Sequence, residues 1–144
     1  AFNSDHQMLL LEKVGEMIKE GEPIKLVIVD SLTAHFRAEF AGRGQLADRQ
    51  QKLNRYMHDL MKLAETHNLA VYVTNQVMAN PAQMFGDPTT AIGGNIVGHA
   101  STYRIYLRRG KQGSRVAKLV DSPNLPDNET VFWVTDAGVG DDKP

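Results

Sequence analysis

The sequence contains no cysteine, a single tryptophan and few aromatic residues. Without cysteine there is neither a disulfide framework nor a thiolate metal site, consistent with a reducing compartment. No apolar run approaches the ~18 residues of a membrane-spanning helix, so no membrane is expected as a partner. No basic, apolar leader opens the chain at Ala1-Phe2-Asn3. The net charge is −1, so any attraction to nucleic acid must come from local patches. His6, His35, His58, His67 and His99 show no H-x-x-x-H spacing, which argues against a zinc site. No G-x-x-x-x-G-K-S/T occurs, so these residues cannot cradle a triphosphate by that loop. Neither an internal repeat nor a Ser-His-Asp arrangement stands out.

What remains is ordinary material for a globular domain. A chain of 144 residues buries roughly 68–70% of its unfolded surface. Ser4–Glu20 carries Met8, Leu11, Val14, Met17 and Ile18 at helical spacing, with Leu10 beside them. Ser4 or Asp5 is expected to cap this helix, and Gly21 and Pro23 to end it. Ile24–Val29 is a continuous β-branched run, the pattern of a strand buried on both faces. Ala34–Phe40 predicts a short helical turn and Ala41–Gln45 a polar loop. Leu46–His67 is a second long helix with Leu53, Met57, Leu60 and Ala64 as its stripe. Leu69–Val73 is a second buried strand, so the pair suggests a βαβ crossover. Met78–Gly94 has little periodicity and reads as a long loop. A short helix near Asn95–Ala100 precedes a hairpin, Thr102–Arg108 and Arg115–Val120, turned at Gly110–Gly113. Pro123 and Pro126 break the chain before a last strand, Val131–Thr135. The predicted class is α/β: parallel strands with crossover helices, plus an antiparallel hairpin at one edge.

Several residues stand where chemistry is done. Asp30 ends the first strand, and strand-end carboxylates in α/β sheets point into ligand crevices. It suits a magnesium site beside a phosphate, or equally a cap on the next helix. Gln76 follows the neighbouring strand and leads into the long loop. Its amide can orient water or sense a phosphate, or simply satisfy loop backbone. Arg37, Arg43 and Arg49 lie around the first loop, with Arg43 between two glycines. Such a tip suits phosphate contact or plain solvation. In the second loop Met78, Met84, Phe85 and the Ile92-Gly93-Gly94 run can wedge between bases or bind phosphates through glycine amides. Loose packing on the core is the alternative. Arg108, Arg109, Lys111 and Arg115 crowd the hairpin, for DNA contact or for edge solubility. His99 follows the glycine pair.

Taken together, these stretches resemble the RecA-type recombinases. The residues that carry the likeness are "AFNSDHQ", "LVIVDSLTAHFR", "GRGQLADRQQKL", "VTNQV", "FGDP", "IGGNIVGHAS", "LRRGKQGSRVAKLVDSPNLPDNE" and "DAGVGD". They cover nearly the whole chain in the family's order. The resemblance implies a partial RecA-like ATPase core. Residues 1–144 would be its C-terminal part, with the phosphate loop, catalytic glutamate and a small N-terminal domain lying elsewhere. It implies that Asp30 is the Walker B aspartate, with Ser31 beside it, at a site for ATP and Mg2+. Gln76 would link that site to DNA, and His99 would stand near the γ-phosphate across a subunit boundary. Asp121, Pro123 and Asp127 would belong to a cap over the neighbour's nucleotide, with Asp121 near a cation such as K+. Arg37, Phe40, Arg43, Arg49, Phe85, Gly93 and Gly94 would contact DNA. Leu10, Val14 and Met17 would line a groove for a Phe-x-x-Ala segment of a neighbour or mediator; simple core burial describes the same spacing. Where the family carries lysines before "IGGN", this sequence has Thr89, Thr90 and Ala91. The implied parent works in the cytoplasm of an archaeal cell. There it forms helical filaments on single-stranded DNA and exchanges strands with a duplex in DNA repair and recombination. A hexameric helicase of the same fold and a non-catalytic binding module are the rival readings.

Overall fold

The computed structural model describes residues 1–39, 42–79, 89–92 and 94–141, the side chains of residues 43, 79, 89–91 and 94–96 excepted. They fall into two compact units, Ala1–Ala100 and Ser101–Pro144. The first contains α1 (Ser4–Lys19), β1 (Leu26–Val29), α2 (Ala34–Glu39), α3 (Leu46–His67), β2 (Ala70–Val73), β3 (Val77–Ala79), β4 (Thr89–Ala91) and α4 (Gly94–Ala100). The second contains β5 (Arg104–Arg109), β6 (Arg115–Asp121), β7 (Asn128–Thr135) and β8 (Gly138–Gly140).

Helix α1 is capped by Asn3, not by Ser4 or Asp5: Asn3 Oδ1 accepts from the His6 N–H at 2.7 Å. The cap lies one residue earlier because Ser4 is drawn inward and fully buried. At the other end Gly21, at φ +103°, lets the chain fold back. Its N–H donates to the Ile18 carbonyl and that of Glu22 to Met17, satisfying carbonyls that the last turn leaves open.

The centre of this unit is the stripe of α3. Leu53, Tyr56, Met57 and Leu60 pack with Leu11, Leu32, Phe36 and Val97 in one cluster. The rings of Phe36 and Tyr56 lie 5.9 Å apart. Strands β1 and β2 pair in parallel, Leu26 with Ala70 through Val29 with Val73, joined by α2 and α3 as the βαβ pattern predicts. Val29, Val71 and Val73 face the helices. The expectation of burial on both faces does not hold. Leu26, Ile28 and Tyr72 are more than half exposed. Alternate strand residues point to opposite faces, and α1 and α3 supply cover on one face among the described residues.

The ends of the expected long loop are ordered as a ladder. Val77–Ala79 pairs antiparallel with Thr89–Ala91. In the second unit the hairpin extends to a four-stranded antiparallel meander, β5-β6-β7-β8. The strand β8 has no counterpart in the sequence pattern because it is short and glycine-bounded. At the hairpin turn a Cβ on Gly110 would stand 2.3 Å from Ser114 Oγ, so the Ser114 side chain would have to shift to admit one.

Phe36 is wholly buried against α3. Phe36→Ala is expected to cost about 3–5 kcal/mol of stability. Urea unfolding checks this, and a loss below about 1 kcal/mol would contradict its central place in the core.

Candidate functional site

The parallel ladder runs on past the strand ends. The Thr74 N–H donates to the Val29 carbonyl at 3.0 Å, and the Leu32 N–H to the Thr74 carbonyl at 2.8 Å. These bonds bring Asp30 and Thr74 side by side, and Thr74 Oγ1 donates to Asp30 Oδ1 at 2.6 Å. The Asp30–Ser31 peptide is cis. The Ser31 hydroxyl oxygen is buried and has no hydrogen-bond partner. A cavity of about 260 Å³ opens beside them, lined in part by Asp30, Ser31, His35, Leu10 and Val14. Asp30 therefore makes no N-cap to α2; its held oxygen is bound by the neighbouring strand.

A second set of bonds reaches the base of the long loop. Thr33 Oγ1 donates to Asn75 Oδ1 at 2.8 Å, and Asn75 Nδ2 donates to the Ile92 carbonyl at 2.6 Å. The Ile92 N–H donates to the Gln76 carbonyl at 2.9 Å. Arg37 Nη1 donates to the Gln76 side-chain oxygen at 3.3 Å. Thus Arg37 and Gln76, singled out separately in the sequence, meet in space. Thr33, Thr74 and Asn75 were missed there. Their only sequence signal is position, immediately after the apolar runs.

Other candidate residues are distributed as follows. Phe40, Phe85 and Gly93 lie outside the described residues. Arg43 opens the 3-10 turn Arg43–Gln45, and its side chain is not described. Gly94 is the first residue of α4 and His99 is exposed in its last turn. Arg49 is half-buried on α3. The apolar residues of α1 divide between two faces. Leu11 enters the core, whereas Leu10 and Met17 are exposed and Val14 is half-buried. Leu10 and Met17 are thus not core residues, and Val14 lies between the two classes.

In the second unit Asp121 Oδ2 accepts from Arg104 Nη2 at 2.9 Å and from Nε at 3.3 Å. Pro123 and Asp127 are exposed. Just before them Ser122 Oγ accepts from the Leu125 N–H at 2.9 Å, folding the segment into a turn. The basic hairpin is partly committed internally. Arg108 pairs with Glu129 at 3.3 Å, and Arg115 donates to the Gly113 and Ser114 carbonyls. Arg109 and Lys111 are exposed. Among the described residues no group of three or more His, Asp or Glu is placed to hold a metal by itself. Nor is any described helix long and apolar enough to cross a membrane.

The sequence model of the Rad51 family matches residues 1–142. The chain belongs to the Rad51 family. It is 62% identical over 143 residues to the DNA repair and recombination protein RadA of Methanocorpusculum labreanum, covering 96% of this chain and 44% of that protein. The RadA proteins of Haloquadratum walsbyi and Halobacterium salinarum are 58% and 59% identical, again over 96% of this chain and 42% and 41% of their own. The chain thus spans less than half the length of these relatives. The mixed α/β architecture, a parallel pair with crossover helices and an antiparallel sheet, is that of a partial RecA-like core in this family.

One polar cluster escaped the sequence reading altogether. Glu39 accepts from both the N–H and the hydroxyl of Ser4, and Lys52 Nζ donates to Ser4 Oγ at 2.6 Å. Burial pushes the Glu39 carboxyl up, but the two Ser4 bonds and the Lys52 ammonium outweigh burial and the opposing Asp5 charge. The carboxyl is held below its ordinary value of 4.5. A carboxylate with a lowered folded pKa stabilises above its unfolded pKa, and that contribution is lost as pH falls through the folded value. Glu39→Gln is therefore expected to flatten the acid side of the thermal-stability profile below about pH 4.5. Melting temperature against pH for both proteins checks this; parallel profiles would refute it.

Proposed function

We propose that this chain is part of an ATP-dependent DNA strand-exchange recombinase that forms filaments on single-stranded DNA in repair and recombination. The observation that carries the reading is the strand-end arrangement: Asp30 held by Thr74, beside Ser31, with Gln76 at the next strand end tied to Arg37. The donor set fits magnesium as it is held beside nucleotides, through one or two carboxylates, phosphate oxygens and water. Asp30 has one oxygen anchored and Ser31 a hydroxyl without a partner. Magnesium would neutralise phosphate charge there. Thr74 orients the Asp30 carboxylate, and Gln76 stands between that carboxylate's sheet and the second loop, so a change at the phosphate is felt at Ile92.

Because these residues contain no phosphate loop, the chain supplies one part of the ATP site and does not hydrolyse ATP alone. A neighbouring subunit would contribute His99, with Asp121, Pro123 and Asp127 as the cap and a K+ ion near Asp121. Arg37, Phe40, Arg43, Arg49, Phe85, Gly93 and Gly94 form the DNA-contacting set for single and double strands. Leu10 and Met17, exposed, with half-buried Val14 between them at i, i+4, i+7 spacing, support a groove for a Phe-x-x-Ala segment.

Three measurements test the reading. Asp30→Asn in the full-length parent is expected to abolish DNA-stimulated ATP hydrolysis while leaving nucleotide-free DNA binding intact. Arg43→Ala is expected to weaken single-stranded DNA binding and reduce the salt slope by about 1. An unchanged slope would remove Arg43 from the interface. Electron microscopy of the parent on DNA should show helical filaments, and closed rings would favour the helicase reading.

A further inference from the structure

Thr74 grips the end of β1 through both its main chain and its side chain. Its N–H donates to the Val29 carbonyl at 3.0 Å, and its carbonyl accepts from the Leu32 N–H at 2.8 Å. Its hydroxyl donates to Asp30 Oδ1 at 2.6 Å. The next residue adds a further tie, since Thr33 Oγ1 donates to Asn75 Oδ1 at 2.8 Å. Leu32 and Thr33 are buried, so the far end of the turn is a fixed point. With the main chain pinned on both sides of Asp30, its side-chain torsions are the freedom that remains. The Thr74 hydroxyl restricts those.

Asp30 is itself exposed. Among the described residues no hydrogen bond or ion pair reaches its other oxygen, Oδ2. The carboxylate therefore has one anchored oxygen and one open oxygen. Cations differ in what they need from such a group. Magnesium demands near-ideal octahedral geometry, and so a ligand held in one orientation. Calcium takes roughly six to eight oxygens in a flexible shell and accepts a carboxylate through one oxygen or both. A carboxylate with Oδ1 committed to a hydroxyl suits the first ion. One free to turn both oxygens toward the metal suits the second.

We propose that Thr74 is a positioning residue that makes the Asp30 site selective for magnesium over calcium. Its hydroxyl reserves Asp30 Oδ1 and leaves a single oxygen for the metal or a water bound to it. The proposal rests on the magnesium reading of Asp30 given above. Thr74 acts through Asp30 alone. Its main-chain bonds do not depend on its side chain, so Thr74→Val removes the hydroxyl while keeping the strand-end ladder and a β-branched shape.

Metal-dependent nucleotide binding by the full-length parent tests this. A fluorescent, non-hydrolysable analogue, mant-AMPPNP, is followed by anisotropy while MgCl2 or CaCl2 is added. Thr74→Val is expected to raise the half-saturating magnesium concentration about 10-fold, as loss of a bond to a metal-binding carboxylate does. The half-saturating calcium concentration should move by less than about 2-fold, because a freed Oδ1 can join that ion's shell. Thr74→Ser, which keeps the hydroxyl, should titrate like wild type with both ions. Thr74→Ala removes the same hydroxyl and replaces Thr74→Val if that variant fails to fold. Equal shifts for the two ions, no shift for either, or Thr74→Ser shifting as far as Thr74→Val would overturn the proposal. Asp30→Asn separates this from failure of the underlying reading. If Asp30→Asn binds nucleotide with the magnesium dependence of wild type, the magnesium reading falls and the proposal with it. If Asp30→Asn loses that dependence while Thr74→Val keeps it unshifted, the proposal alone is overturned.

Discussion

The packing of α3 is the constraint on which the rest of the first unit depends. Its stripe meets Leu11, Leu32, Phe36 and Val97, drawn from α1, the β1–α2 turn, α2 and α4. Each such side chain contributes about 1.5–3 kcal/mol by leaving water. More important for the site, α3 contacts α1, α2, β2 and α4 of the first unit. The crossover from β1 to β2 must run through α3, so its seat on the sheet decides that the two strands are parallel neighbours. Parallel pairing then sets Asp30 beside Thr74 and Gln76 beside the second loop. The chemistry at the strand ends is a consequence of where a hydrophobic stripe settles.

Polar bonds convert that coarse placement into geometry. Thr74 fixes one oxygen of Asp30. Asn75 bridges Thr33 and the Ile92 carbonyl, so the end of β1 and the base of β4 share one side chain. Arg37 and Gln76 join α2 to the same region. On the opposite edge of α2 the Ser4, Glu39 and Lys52 cluster does the same for the first loop. The described residues at the bases of both loops are thus tied to neighbouring elements by side-chain bonds.

Much of this was legible beforehand. Helix α3 runs over Leu46–His67 as its periodicity predicts, because a long amphipathic stripe has little choice of boundary. The positions of Asp30 and Gln76 at strand ends follow from apolar runs that stop at polar residues. Less legible were features that depend on neighbours. The β1 run looks buried on both faces, yet Leu26 and Ile28 are exposed, since a run of valine and isoleucine does not record how many layers cover it. The cap on α1 is Asn3 because Ser4 has a stronger use elsewhere. Ser4 and Glu39 are 35 positions apart, and Lys52 and Ser4 are 48 apart. Pairs so distant leave no periodic signature.

The amino-acid sequence by itself determined the kinds of element, their order, the polar residues that end the strands, and a motif set specific enough to mark the Rad51 family. These are local or collinear properties, written in periodicity and spacing. Only the tertiary structure decided that Leu11 of α1 turns inward while Leu10 and Met17 are exposed. Both faces are apolar, and periodicity fixes a stripe without fixing its rotation. It also decided that Asp30 is held by Thr74 rather than capping a helix, and that Glu39 is gripped from two other helices. Those outcomes depend on distances between residues remote in sequence, which hydrophobic packing sets before any hydrogen bond can form.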